Sequence, residues 1–117
     1  MFTRRVTLNI KPGSAAEAGR IFEGEVIPPL REQTGMRHDD ISISHALSEA
    51  VLHSYWDTQE HAESYGRAAY PVALQALSKV SEGTPQVETF HISSSTFHRI
   101  TAPRREADRT SKLGRGL

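Results

Sequence analysis

The sequence contains no cysteine. That excludes disulfides, a thiolate nucleophile and sulfur-built zinc or iron–sulfur centres, and it leaves the redox compartment open. It also lacks an excess charge, with 14 Lys+Arg against 14 Asp+Glu, which argues against a protein-wide attraction to duplex DNA or an anionic membrane. Long apolar runs are missing too. After Met1-Phe2-Thr3-Arg4-Arg5 the stretch Val6 to Ile10 is interrupted by Thr7 and Asn9 and stops at Lys11-Pro12-Gly13. This is too short and too polar for a signal peptide, and no run approaches the roughly 18 apolar residues of a membrane span. The expectation is a soluble, cytoplasmic protein with neither nucleic acid nor membrane as a partner. Its chemistry must come from His, Asp, Glu, Tyr, Trp or Ser.

What is present suits one domain: 117 residues, 37% of them hydrophobic, enough to bury roughly two-thirds of the unfolded surface without a metal or disulfide. The neutral total hides an asymmetry. From Thr101 onward Arg104, Arg105, Arg109, Lys112 and Arg115 outweigh Glu106 and Asp108, so this stretch carries +3 and the rest −3. The chain therefore divides into a domain over 1–100 and a basic C-terminal tail over 101–117. The tail has no interleaved aromatics of the kind that stack on single-stranded nucleic acid, and a solvated appendage is its expected form.

Period-2 alternation of Phe2, Arg4, Val6, Leu8 and Ile10 with Thr3, Arg5, Thr7 and Asn9 predicts a first strand with one more apolar face. Ser14 and Glu17 have the spacing of a capping box, and Ala15, Ala18, Phe22, Val26 and Leu30 form the buried stripe of a helix. Pro28-Pro29 should kink or break it, with a short resumption to Gln33 and an end at Gly35. Ile41 to Leu47 and Val51 to Trp56 predict a β-hairpin turning at Ser48-Glu49. Asp57 or Thr58 then caps a second helical region, split at Tyr70-Pro71 into pieces of about 58–69 and 71–81. Gly83-Thr84-Pro85 should end it. A fourth strand runs from Val87 to Ser93, with a continuation through Phe97 to Ile100. The order is β-α-β-β-α-β: an α+β, ferredoxin-like domain with a four-stranded antiparallel sheet and helices on one side. Val51 and Tyr55 on one face of a strand, with Leu52 and Trp56 on the other, imply that something covers the second sheet face, most simply a second copy.

Four stretches together resemble the antibiotic-biosynthesis-monooxygenase-like families of the dimeric α+β barrel superfamily. They are Lys11-Pro12-Gly13 after the first strand, Pro28-Pro29-Leu30-Arg31 leading to Thr34-Gly35-Met36, Tyr55-Trp56-Asp57-Thr58-Gln59-Glu60, and Gly83 to Phe90. The resemblance covers roughly residues 3 to 95. It implies a homodimer joined through the sheet face and a cofactor-independent monooxygenase acting on an aromatic or quinol-like small molecule, with neither cofactor nor metal. In oxygenase members the substrate lies between helices and sheet near a Trp at this junction, matched by Trp56. An Asn four residues earlier on that strand is replaced here by Leu52. The histidine by which haem-degrading members hold iron falls at Gly66. The alternative is a non-catalytic small-molecule-binding or structural homodimer of the same fold.

From the residues themselves, His45 and His53 flank the hairpin turn and should fall nearly opposite on one face, where either imidazole can act as a base toward a phenol or acidic C–H. Hydrogen-bonded structural imidazoles are the other reading. Trp56 can floor an aromatic pocket or anchor the second helix. His61 and Tyr65 are an i, i+4 pair able to aim an imidazole and a phenol at one point. The expected pocket is lined by Trp56, Tyr65, His61 and Phe22, with His53 and His45 as candidate catalytic residues. If it is filled by Phe22, Leu74 and Leu77 instead, the binding or structural alternative gains.

Overall fold

A computed structural model describes residues 1–92. The alternation at the start of the chain forms β1 (Phe2–Ile10), whose Phe2, Val6, Leu8 and Ile10 share a buried face. It lies inside a four-stranded sheet with β2 (Met36–Ser44), β3 (Glu49–Trp56) and β4 (Ser81–His91). The strand order is β2-β3-β1-β4 and all neighbours are antiparallel, which is the ferredoxin-like arrangement. The helices are α1 (Ala15–Ile21), α2 (Ile27–Arg31), α3 (Gln59–Ala68) and α4 (Tyr70–Leu77). Ala18, Ile21, Phe22, Val26 and Leu30 pack with Ala62, Tyr65 and Leu77 onto Leu8, Ile10, Leu52 and Trp56 as one core. The outer sheet face carries Arg5, His53, Tyr55 and Phe90, all at least partly exposed.

Pro28-Pro29 do not break the first helical stretch. A π turn, Phe22–Val26, joins α1 to α2, and the two prolines occupy the first turn of α2, where a missing N–H costs no intrahelical bond. The wider turn relieves the crowding that proline rings impose on the turn before them. Ser14 stands at the start of α1 without a side-chain cap, so the capping box does not form. Its ψ of 8° is not the extended conformation from which a cap hydroxyl reaches back to the helix N–H groups. Thr58 is extended and does cap α3, its Oγ1 accepting from the His61 N–H at 3.2 Å.

The hairpin turns earlier than expected. Ser44 pairs with Glu49, leaving residues 45–48 as the turn, with Ser48 at φ +50°. His45 therefore lies in the turn, and the partner of His53 is Asp40. Residues Gly83-Thr84-Pro85 do not end a helix either. They belong to β4, between the pairs Thr7–Gln86 and Asn9–Glu82, where the register shifts and Gly83 takes φ +71°. The continuation through Phe97 to Ile100 and the basic tail, 101–117, lie outside the described residues.

Candidate functional site

The side-chain period of β3 divides the expected site between two faces. Leu52, Ser54 and Trp56 are buried toward the helices, while Val51, His53 and Tyr55 are half-buried on the other side. Trp56 is fully buried, donates its indole N–H to Ser54 Oγ at 2.9 Å, and has its ring centre 5.4 Å from that of Tyr65. Phe22 and Leu77 are buried in the same core. Trp56, Tyr65 and Phe22 thus come together as packing, and the open pocket expected among them is filled.

His53 instead places Nδ1 3.1 Å from Asp40 Oδ1, beside Tyr55 on the outer face. Burial, reinforced by Asp40, pushes the Tyr55 phenol up to about 12. His61 does not join Tyr65. It turns back to Asp57, Nδ1 to Oδ1 at 2.7 Å, and Arg37 approaches the same carboxylate at 3.9 Å. The hydrogen bond from His61 is the main cause that holds the Asp57 carboxyl below its ordinary range. The six candidates therefore do not converge on one cavity. Among the described residues, no group of three His, Asp or Glu side chains is arranged to hold a metal ion, and no helix is long and apolar enough to cross a membrane.

A cavity of about 340 Å³ lies one strand over, between α3 and β4. It exists because β4 extends the helix-facing side of the sheet beyond the helices: Val87 and Thr89 pair with Val6 and Arg4 and share their face. Opposite them α3 presents Ala62 and Gly66, which leave the space unfilled. Phe2 forms an apolar end, and Glu63 and Arg67 stand at the helix side. Glu63 accepts from Gln59 Nε2 at 2.9 Å, and Gln59 Oε1 lies 3.3 Å from His91 Nε2. The His91 ring in turn meets Phe2 edge-on at 4.9 Å.

Arg4 is the unusual lining residue. It occupies the apolar register of β1 and is only 8% exposed. Its guanidinium carbon lies 4.1 Å from the centre of the Tyr70 ring and 5.4 Å from that of Tyr65. Burial lowers its pKa, and the two tyrosines partly oppose that shift. Among the described residues no carboxylate stands within ion-pair distance of it. A Cβ on Gly66 would come within 3.4 Å of Arg4 Nη2, so glycine on α3 keeps the guanidinium edge uncovered. Neither Arg4 nor Gly66 was among the candidates. The signal was an arginine in phase with Phe2, Val6 and Leu8, where an apolar side chain is the rule.

A second, polar cleft of about 300 Å³ is lined by Arg31, Met36, Arg37, His38 and Asp39. Arg31 there grips Asp39 with two hydrogen bonds, 2.9 and 3.1 Å, and ties α2 to β2.

No protein-family model matches the chain, and no curated protein matches it in sequence. Solved structures do match in shape. Two, from Nitrosomonas europaea and Bordetella bronchiseptica, bear the description "putative antibiotic biosynthesis monooxygenase". The first is 15% identical, covers 78% of this chain and 97% of its own, and superposes with a TM-score of 0.64. The second is 15% identical over 79% of this chain and 96% of its own, with a TM-score of 0.66. A monooxygenase of Streptomyces coelicolor, solved in complex with the ligand nanaomycin D, is 19% identical over 80% of this chain and 88% of its own, with a TM-score of 0.66. The fold is that of the antibiotic biosynthesis monooxygenase structures. At these identities the likeness concerns the fold, and the activity has to be argued from the cavity.

Proposed function

We propose that the chain is a cofactor-independent monooxygenase that takes an aromatic or quinol-like small molecule into the cavity between α3 and β4. The observation that carries this reading is the cavity itself: about 340 Å³, walled by Phe2 and Val87, with charged groups at Arg4, Glu63 and Arg67. That volume and that mix of apolar walls with a few convergent polar groups suit a small ring system. The nanaomycin D complex of the Streptomyces coelicolor monooxygenase supports a small organic ligand in this fold.

In the reaction, Glu63 is the lining group able to accept a proton from a phenol or an acidic C–H, and Thr89 offers a hydroxyl for orientation. The resulting electron-rich anion transfers electrons to dioxygen. An activated CH₂ becomes a carbonyl, one oxygen atom entering the product and the other leaving as water with the two hydrogens. The substrate supplies all four electrons, so no external reductant enters.

The protein acts as a homodimer joined through the outer sheet face. Phe90, 40% exposed there, and the half-buried Val51 and Tyr55 support this, because contiguous apolar and aromatic surface on an open sheet favours association. Sedimentation equilibrium should give twice the chain mass.

The activity is tested by oxygen uptake with hydroquinones and anthrone-like phenols, without added metal or flavin. Uptake above autoxidation that is lost in Gly66→Leu, which fills the cavity, supports the reading. Loss in His53→Ala with Gly66→Leu unaffected moves the chemistry to the outer face. No uptake across the panel favours the second reading, a non-catalytic binding dimer. That reading draws on two observations: the pocket expected at Trp56 is filled by core packing, and among the described residues no histidine lines the cavity between α3 and β4.

A further inference from the structure

Among the described residues, the guanidinium of Arg4 is a buried charge without a carboxylate partner. Taking an arginine out of water is costly, and folded proteins normally offset that cost with a carboxylate and a full set of hydrogen bonds. Arg4 is 8% exposed, yet no described carboxylate forms an ion pair with it. The rings of Tyr70 and Tyr65 lie beside it, and Tyr70 also helps hold its charge through the hydrogen-bonding pull of its hydroxyl; a ring against the guanidinium face does not use up the N–H donors of its edge. Gly66 keeps the approach to Nη2 open, and the residue lines the cavity. A purely structural arginine does not need a cavity beside it. An arginine that waits for an anion does.

The described lining holds two cations against one anion. Arg67 is a second cation on the helix side, and Glu63, the one lining carboxylate among the described residues, accepts from Gln59. The apolar walls, Phe2 and Val87, lie on the same cavity as the guanidinium. A ligand that satisfies both carries a flat apolar body and a planar anionic group, and a carboxylate matches the guanidinium fork with two oxygens.

We propose that this cavity selects an aromatic carboxylate, its two oxygens accepting hydrogen bonds from Arg4 while its ring lies against Phe2 and Val87. The assignment rests on reading the cavity as the ligand site, and it narrows the substrate class of that site. Burial already disfavours the charged form of Arg4, so an incoming anion relieves a penalty that a neutral ligand leaves in place.

The full chain is titrated calorimetrically with 2-naphthoate and with its uncharged counterpart 2-naphthamide, and amide chemical shifts are followed by NMR. We expect the acid to bind at least about tenfold more tightly than the amide, the value of one good charge-assisted pair. Shifts should concentrate at Gly66 and Thr89. Arg4→Met should bring the two affinities together while naphthamide binding persists; if that variant does not fold, the wild-type ratio of acid to amide decides alone. Equal affinities, with shifts at Gly66 and Thr89, overturn the anion assignment and leave the cavity as a ligand site. Absence of binding by either probe overturns both. Acid binding with shifts confined to Arg37 and His38 places the anion in the other cleft and overturns the assignment as well.

Discussion

Trp56 donates its indole N–H to the hydroxyl of Ser54, two residues back on the same buried face of β3, at 2.9 Å. The pair lets the largest side chain of the core pack without leaving a polar atom stranded. Ser54→Ala should destabilise the fold by about 1–3 kcal/mol, because it removes the acceptor and leaves the indole donor buried. Adding Trp56→Phe to Ser54→Ala should cost less than the two single changes together, since both polar partners are then gone. Urea unfolding followed by circular dichroism measures the cycle. Strict additivity would show that the hydroxyl does not serve the indole.

Gly35 separates the first helical stretch from β2 at φ +84°, and a Cβ there would collide with Asp57 and His61. Gly13 takes a similar φ of +79° in open space. Both Ala variants bear the backbone strain of a left-handed residue, on the order of 1–3 kcal/mol, and only Gly35→Ala also displaces the Asp57–His61 pair. It should therefore be the less stable variant in urea. Equal losses would mean that the pair moves aside freely.

The Asp57 carboxyl titrates below its ordinary value of 3.8, chiefly because His61 hydrogen-bonds to it. A carboxyl with a depressed folded-state pKa contributes stability that is complete above about pH 3.8 and lost as pH falls through the lower folded value. The stability difference between wild type and His61→Ala should hold steady from pH 6 to roughly 4.5 and shrink below that. A difference that grows on acidification would contradict the assignment.

All three tyrosines resist ionisation. Burial is the first cause at each: Tyr55 is pushed to about 12, and Tyr65 and Tyr70 are raised against the opposing pull of Arg4. Because the neutral phenols are favoured in the folded state, their contribution to stability is intact below pH 10, the ordinary tyrosine value, and declines above it. An alkaline titration read in the ultraviolet should show little phenolate at pH 10, and its rise should coincide with unfolding. A full tyrosine equivalent ionising near 10 in folded protein would break the prediction. Asp40→Asn should make Tyr55 titrate earlier.

Much of the fold was legible because it depends on local periodicity. Phe2 to Ile10 alternate with period two, Ala18, Phe22, Val26 and Leu30 recur at helical spacing, and Thr58 precedes a helix it can cap. The errors arose where the backbone absorbs an irregularity. A π turn carried the helix past Pro28-Pro29, a bulge took Gly83 to Pro85 into a strand, and the hairpin turned early enough to separate His45 from His53.

The sequence by itself determined the order of elements, the absence of thiol chemistry and the residues that share each strand face, because these follow from side-chain type and spacing along the chain. Only the tertiary structure decided where space remains. Trp56, Tyr65 and Phe22 have the chemistry of a pocket, yet they fill one another's surroundings. Gly66 and Arg4 lie sixty-two positions apart and come to line one cavity because α3 crosses β1 at a residue without a side chain. Packing is set by distances between elements, and no periodicity along the chain records them.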